Sequence, residues 1–113
     1  SIMLAFHEEY PLNSGRLAQA PQFSDTIHDI VLAADTLLRV AIPAGARFVS
    51  LSFDADVRVK AGLVDTALTL PAATVTDGSG SALNPGVRRL PAAATHLCLR
   101  AATACKGSLE YWG

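Results

Sequence analysis

Val49-Ser50-Leu51-Ser52-Phe53-Asp54-Ala55-Asp56-Val57-Arg58-Val59-Lys60 alternates apolar and polar residues without a break over twelve positions. A period of two is the pitch of an extended chain, whose successive side chains point to opposite faces. Val49, Leu51, Phe53, Ala55, Val57 and Val59 would share an inward face, and Ser50, Ser52, Arg58 and Lys60 the outward one. Aspartate is depleted in strands and common in turns, so Asp54-Ala55-Asp56 is expected to bend or split the run.

The same alternation recurs on both sides of this stretch. Leu38, Val40 and Ile42 alternate with Leu37, Arg39 and Ala41 and stop at Pro43-Ala44-Gly45. Leu68 and Leu70 flank Thr69 and stop at Pro71, which predicts another short strand. Leu97, Leu99 and Ala101 alternate with His96, Cys98 and Arg100, and Leu109 and Tyr111 with Ser108, Glu110 and Trp112. By this alternation one of Tyr111 and Trp112 belongs to the core and the other faces outward, free to meet a partner. Ile27 to Ala34 suits a short helix or a first strand, and strand is the favoured reading. Turn residues recur at roughly the 8 to 12 residue spacing of an all-β fold. The expectation is an antiparallel β-sandwich of about seven to eight strands, jelly-roll-like or immunoglobulin-like, over residues 26–113.

Residues 1–25 read differently. Pro11, Asn13-Ser14-Gly15 and Pro21 interrupt any regular element, and the apolar residues follow no steady period. This is an extended N-terminal arm that needs a neighbouring surface to hold it. Its apolar side chains, chiefly Ile2, Met3, Leu4, Phe6, Tyr10, Leu12 and Phe23, are then candidate partner contacts, joined by Trp112 at the other terminus.

With 113 residues the chain is one domain plus the arm, and 50% hydrophobic against 17% charged residues is too apolar for disorder. Nine Lys and Arg against ten Asp and Glu give a formal charge of −1, which argues against nucleic acid as a partner. Ile30 to Ala34, five apolar residues, falls far below the roughly 20 needed to cross a bilayer, so no membrane partner is expected. Ser1 to Phe6 lacks a basic leading region and runs into His7-Glu8-Glu9, unlike an intact secretory signal. Two cysteines, Cys98 and Cys105, are too few for a disulfide scaffold; reduced thiols, or at most one hairpin bridge, are expected.

No constellation of catalytic residues stands out. His7, His28 and His96 sit in unrelated contexts, and no Gly-x-Ser-x-Gly elbow is present. His96 and Cys98 are two apart on one strand and would share a face, although a structural cysteine is the commoner state. Asp54 and Asp56 also share a face, but Asp-x-Asp here lacks the rest of a calcium loop and reads as a solvated turn. His7-Glu8-Glu9 lacks the second histidine of a zinc-binding helix, and Gly78-Ser79-Gly80 lacks the lysine of a phosphate loop. No metal or other cofactor is implied, and the chain reads as a non-enzyme. Arg39, Arg47, Arg58, Lys60 and Arg100 lie on separate strands, and if they met on one face they could pair with an acidic partner surface.

Val40 through Gly62, with its Pro43-Ala44-Gly45-Ala46 turn, alternating strand and Asp54-Ala55-Asp56 corner, resembles the core of small β-sandwich head decoration, or cement, proteins of tailed bacteriophages. Asp77-Gly78-Ser79, the Pro91-to-Leu97 turn into a strand, and the closing Gly107-to-Trp112 strand are similar to the rest of that pattern, so the likeness spans residues 36–113. Two departures are Ala93 or Ala94 where that family has a turn glycine, and a longer arm. The resemblance implies a structural virion protein on the capsid exterior, assembled in the host cytoplasm. It would bind the major capsid protein, bridge its subunits and associate with itself, as a trimer in many members. The other readings are a tail or neck connector, and a fibre-associated sandwich that binds host glycans.

Overall fold

The structure is a computed structural model that describes residues 3–6 and 20–113. Eight strands follow in order: β1 (Thr26–Leu32), β2 (Leu38–Ala41), β3 (Phe48–Phe53), β4 (Arg58–Gly62), β5 (Ala82–Leu83), β6 (Val87–Arg89), β7 (His96–Arg100) and β8 (Cys105–Trp112). They form two four-stranded sheets, β1-β8-β3-β6 and β2-β7-β4-β5, with every pair antiparallel. The first strand pairs with the eighth, the second with the seventh, the third with the sixth and the fourth with the fifth. A long hairpin rolled over itself so that alternate strands enter opposite sheets has this order, and it is that of a jelly roll. Of the two sandwich types expected, the jelly roll is the one formed.

The deciding stretch crosses between the sheets. β3 lies in the first sheet and β4 in the second, and Asp54 to Val57 is the corner. The inward set survives the crossing, because Val49, Leu51, Val57 and Val59 are all buried in one core with Ile30, Leu32, Leu97, Leu99, Leu109 and Tyr111. The two aspartates shape the corner. Asp54 accepts a hydrogen bond from the Lys106 amide at 2.9 Å, and Asp56 accepts one from the Asn84 side chain at 2.9 Å. Asn84 in turn accepts from the Val57 amide at 2.9 Å, which ties the corner to the β5–β6 turn.

Ile27 to Ala34 yields a strand, β1, with Ile30 and Leu32 inward. Leu68 to Leu70 does not, and that expectation is corrected. Residues 63–81 form one long connection across the outer face of the second sheet, with Leu68 buried beneath it. Strand character needs a ladder for the backbone. Here the carbonyls of Thr66 and Leu68 accept instead from the side chains of Arg39 at 2.9 Å and Arg100 at 3.0 Å.

The expectation for Tyr111 and Trp112 is also corrected, because both are buried, at 0% and 2% exposure. Tyr111 points between the sheets, edge-on to His28 with ring centroids 5.2 Å apart. Trp112 points outward as alternation requires, but the arm covers it. Its indole N–H donates to the Gln22 carbonyl at 2.9 Å, and Phe6 meets its ring edge-on at 5.3 Å. Cys98 and Cys105 are both free thiols, Cys98 under the 63–81 connection and Cys105 in the core, as expected for reduced cysteines.

The Tyr111 hydroxyl has no hydrogen-bond partner among the described residues, and burial pushes the phenol up to about 12. An unfolded tyrosine ionises near 10, so between about pH 10 and 12 the unfolded state sheds a proton that the native state keeps. Stability therefore falls as pH rises through that window, by about 3 kcal/mol in total, and is independent of this group below it. Tyr111→Phe is expected to remove that component of the alkaline decline in urea unfolding. At neutral pH it should add about 1 kcal/mol, because no buried hydroxyl is left unsatisfied.

Candidate functional site

The two outer faces of the sandwich are finished differently, and the difference locates the surfaces open to partners. On the second sheet the register sets Arg39, Cys98 and Lys60 in one row across β2, β7 and β4, and Arg100 opposite Arg58 in the next. These four cations meet on one face; Arg47, next to β3 of the first sheet, does not join them. They are turned onto the chain's own backbone, however, where the charges organise the 63–81 connection. Arg39 donates to Thr66 O, Arg58 to Ser81 O at 3.1 Å, Lys60 to Ser79 O at 3.3 Å and Arg100 to Leu68 O. Arg100 also clamps Asp35, reaching its carboxylate at 3.0 Å and its carbonyl at 3.1 Å. Carbonyl dipoles relieve the repulsion of a like-charge row where carboxylates are scarce.

Cys98 lies under this connection, its thiol 3.7 Å from Thr66 O. Burial pushes that thiol up, and the opposing pull of Arg39 and Lys60 does not reverse the direction. A closed-over, protonated thiol is a poor nucleophile. His96 shares its face, as the two-residue spacing requires, and engages Thr95 Oγ1 at 2.9 Å through Nδ1. His28 sits half-buried, edge-on to Tyr111, and Asp54 and Asp56 accept hydrogen bonds at the corner. Among the described residues no three metal-ligating side chains gather.

The first sheet is covered at one end only. Gly113 N donates to Leu4 O at 2.9 Å and Phe6 N to Gly113 O at 3.4 Å, so Leu4 to Phe6 runs beside the end of β8. Phe6 stacks on Phe48 with centroids 4.7 Å apart, and the Arg89 guanidinium lies 5.7 Å over the Phe48 ring. Ser24 donates to Tyr111 O at 2.6 Å, and Gln22 donates to Ala5 O at 3.1 Å, which joins the two described parts of the arm. Beyond this corner no described residue covers the outer face. It carries Ser50 and Ser52 of β3, Lys106, Ser108 and Glu110 of β8, Asp29 between exposed Ile27 and Val31 on β1, and exposed Val87 on β6 at the opposite edge.

The arm candidates therefore divide. Met3, Phe6 and Trp112 make contacts within the chain: Met3 packs on the core, and Phe6 with Trp112 forms the aromatic corner. Leu4, 37% exposed, and Phe23, 89% exposed, remain at the surface. Ile2, Tyr10 and Leu12 lie outside the described residues. Sequence reasoning missed Ile27, Val31 and Val87, because an apolar residue on a short strand gives no sign of which of two faces it occupies.

Comparison of the chain with models of protein families, with characterised proteins and with solved structures returns no match.

Arg39 and Arg100 together hold down the segment over Cys98. Replacing both with Met is expected to raise the rate of Cys98 labelling by a thiol reagent by about tenfold or more, through local opening rather than global unfolding. Cys105, in the core, should stay as slow as in the parent; equal acceleration at both would point to general destabilisation.

Proposed function

We propose that this protein is a structural component of a virion, a decoration or cement protein that binds the outside of a tailed-phage capsid and bridges its major capsid protein. The observation that carries the reading is the unequal finish of the two sheets. One is sealed by the chain's own connection; the other presents Ser50, Ser52 and Ser108 among Asp29, Lys106 and Glu110, with exposed Ile27 and Val31 at one edge, Val87 at the other and Phe23 preceding β1. Exposed apolar side chains at both edges of an uncovered sheet face favour its use as an interaction surface, whereas exposed Leu63, Val64 and Val75 stand on the connection and not on a sheet face. The orientation follows, with the β1-β8-β3-β6 face toward the shell and the sealed sheet toward solvent.

The fold suits such a part. A jelly roll of this size is a short, rigid plate, and a small core leaves interface area as a substantial contributor to working stability. β1 is an open edge among the described strands, seven residues long, whose unpaired N–H and C=O groups can meet a sister copy or the shell. Copies arrayed on a repeating lattice bind far more strongly than one copy, because each contact makes the next effectively intramolecular. Self-association, as a trimer, and a place on the capsid exterior belong to the same reading.

Deleting the arm would uncover Trp112 and confuse docking with folding, so substitutions on the open face are the sharper test. Phe23→Ser combined with Val31→Asp is expected to abolish cosedimentation with shells of the cognate major capsid protein while leaving thermal unfolding within a few degrees of the parent. Val64→Asp, on the sealed side, should leave cosedimentation intact. Loss with Val64→Asp and retention with the open-face pair would reverse the assigned orientation. Failure of the parent protein to cosediment would end the capsid reading.

A further inference from the structure

The connection that seals the second sheet does not lie flat against it. Between its 67–75 and 79–81 segments and strand β4 lies an open cleft of about 410 Å³, within the range of roughly 300–1,000 Å³ typical of small-molecule sites. Arg58 and Lys60 form one wall. They sit two residues apart on β4, so both side chains rise from the same face, and both are only half exposed.

Each of these cations is incompletely used. Arg58 spends one N–H on Ser81 O and Lys60 one on Ser79 O. A guanidinium carries five N–H donors and an ammonium three, so most of their capacity remains. Neither forms an ion pair: among the described residues the one ion pair is Arg100 with Asp35. Among the described residues no carboxylate lines the cleft. Asp77, close enough to feel the charge of Lys60, spends its carboxylate on the Ser79 hydroxyl and amide, which hold it below the usual carboxylate range. The remaining walls are mixed. Thr69 and Thr74 offer hydroxyls, and Leu68 and Val75 offer apolar surface.

We infer that this cleft binds a compact, hydroxylated organic anion, a sugar bearing a carboxylate or a phosphate. The oxyanion would sit between the Arg58 fork and the Lys60 ammonium, a planar bidentate donor beside a point charge. The ring hydroxyls would meet Thr69, Thr74 and the loop carbonyls, and the ring's C–H face would lie on Leu68 and Val75. Both cations are already held in place by the loop carbonyls, so little side-chain freedom is lost when the anion enters. This site is on the opposite sheet from the proposed docking face and does not depend on the capsid reading.

The test is an amide-resolved NMR titration of the full chain with glucuronate, glucose 6-phosphate and glucose. Saturable shifts at Thr69 and Ser79 to Ser81 with either sugar anion, and none with glucose, are expected; which anion saturates first identifies the preferred headgroup. Arg58→Gln and Lys60→Gln should each weaken the affinity by about tenfold or more, the usual scale for losing a charge-assisted hydrogen bond. Unchanged core amides, Leu99 and Leu109 among them, would report that each variant is folded. No saturable shift with either anion, equal response to glucose, or full affinity in both variants would overturn the inference. The ligand panel on the parent chain decides the question even if a variant fails to fold.

Discussion

Two stacked sheets have four faces, and the space between them buries only two. Every other feature of this molecule is a consequence of how the remaining two faces are finished. The inner faces are filled by strict alternation, with Val49, Leu51, Val57, Val59, Leu97, Leu99 and Leu109 converging on one core. The outer face of the second sheet carries Arg39, Arg58, Lys60 and Arg100, a row of like charges that would repel one another if left bare. Loop carbonyls of residues 66–81 accept one hydrogen bond from each of them instead. The outer face of the first sheet receives only the aromatic corner of Phe6, Phe48 and Trp112.

This division gives the groups that resemble reactive chemistry a structural use. Asp54 and Asp56 look like a paired-carboxylate site, yet each caps a corner amide or amide side chain where the chain changes sheets. Cys98 and His96 look like a thiol and its base, yet the thiol is buried against Thr66 O, where desolvation favours its protonated form. The same logic singles out Arg58 and Lys60. Their charges exceed what the loop carbonyls consume, and the excess faces a cleft rather than bulk solvent.

Much of the fold was legible in the sequence. The uninterrupted alternation from Val49 to Lys60 sets which side chains are inward, and the Asp54–Asp56 corner marks where the run must break. Alternation failed where a backbone was satisfied by side chains. Leu68-Thr69-Leu70 has a strand's pattern, but the carbonyls of Thr66 and of Leu68 itself are taken by Arg39 and Arg100, tens of residues away in sequence. It also failed at Trp112, which alternation turns outward and which only a segment from the other end of the chain could cover. Of the apolar arm residues, Phe23 stayed exposed whereas Met3 and Phe6 folded back, a choice that depends on the end of β8 and on Phe48.

The amino-acid sequence alone determined the all-β class, the inward set of β3, β4, β7 and β8 and the sites of the turns, because these depend on period and local conformational preference. Tertiary structure decided the jelly-roll order, the sealing of one sheet, the open face of the other and the gathering of Arg58 and Lys60 at a cleft. Those depend on which distant strands become neighbours, and no local period encodes the position of a partner many residues away.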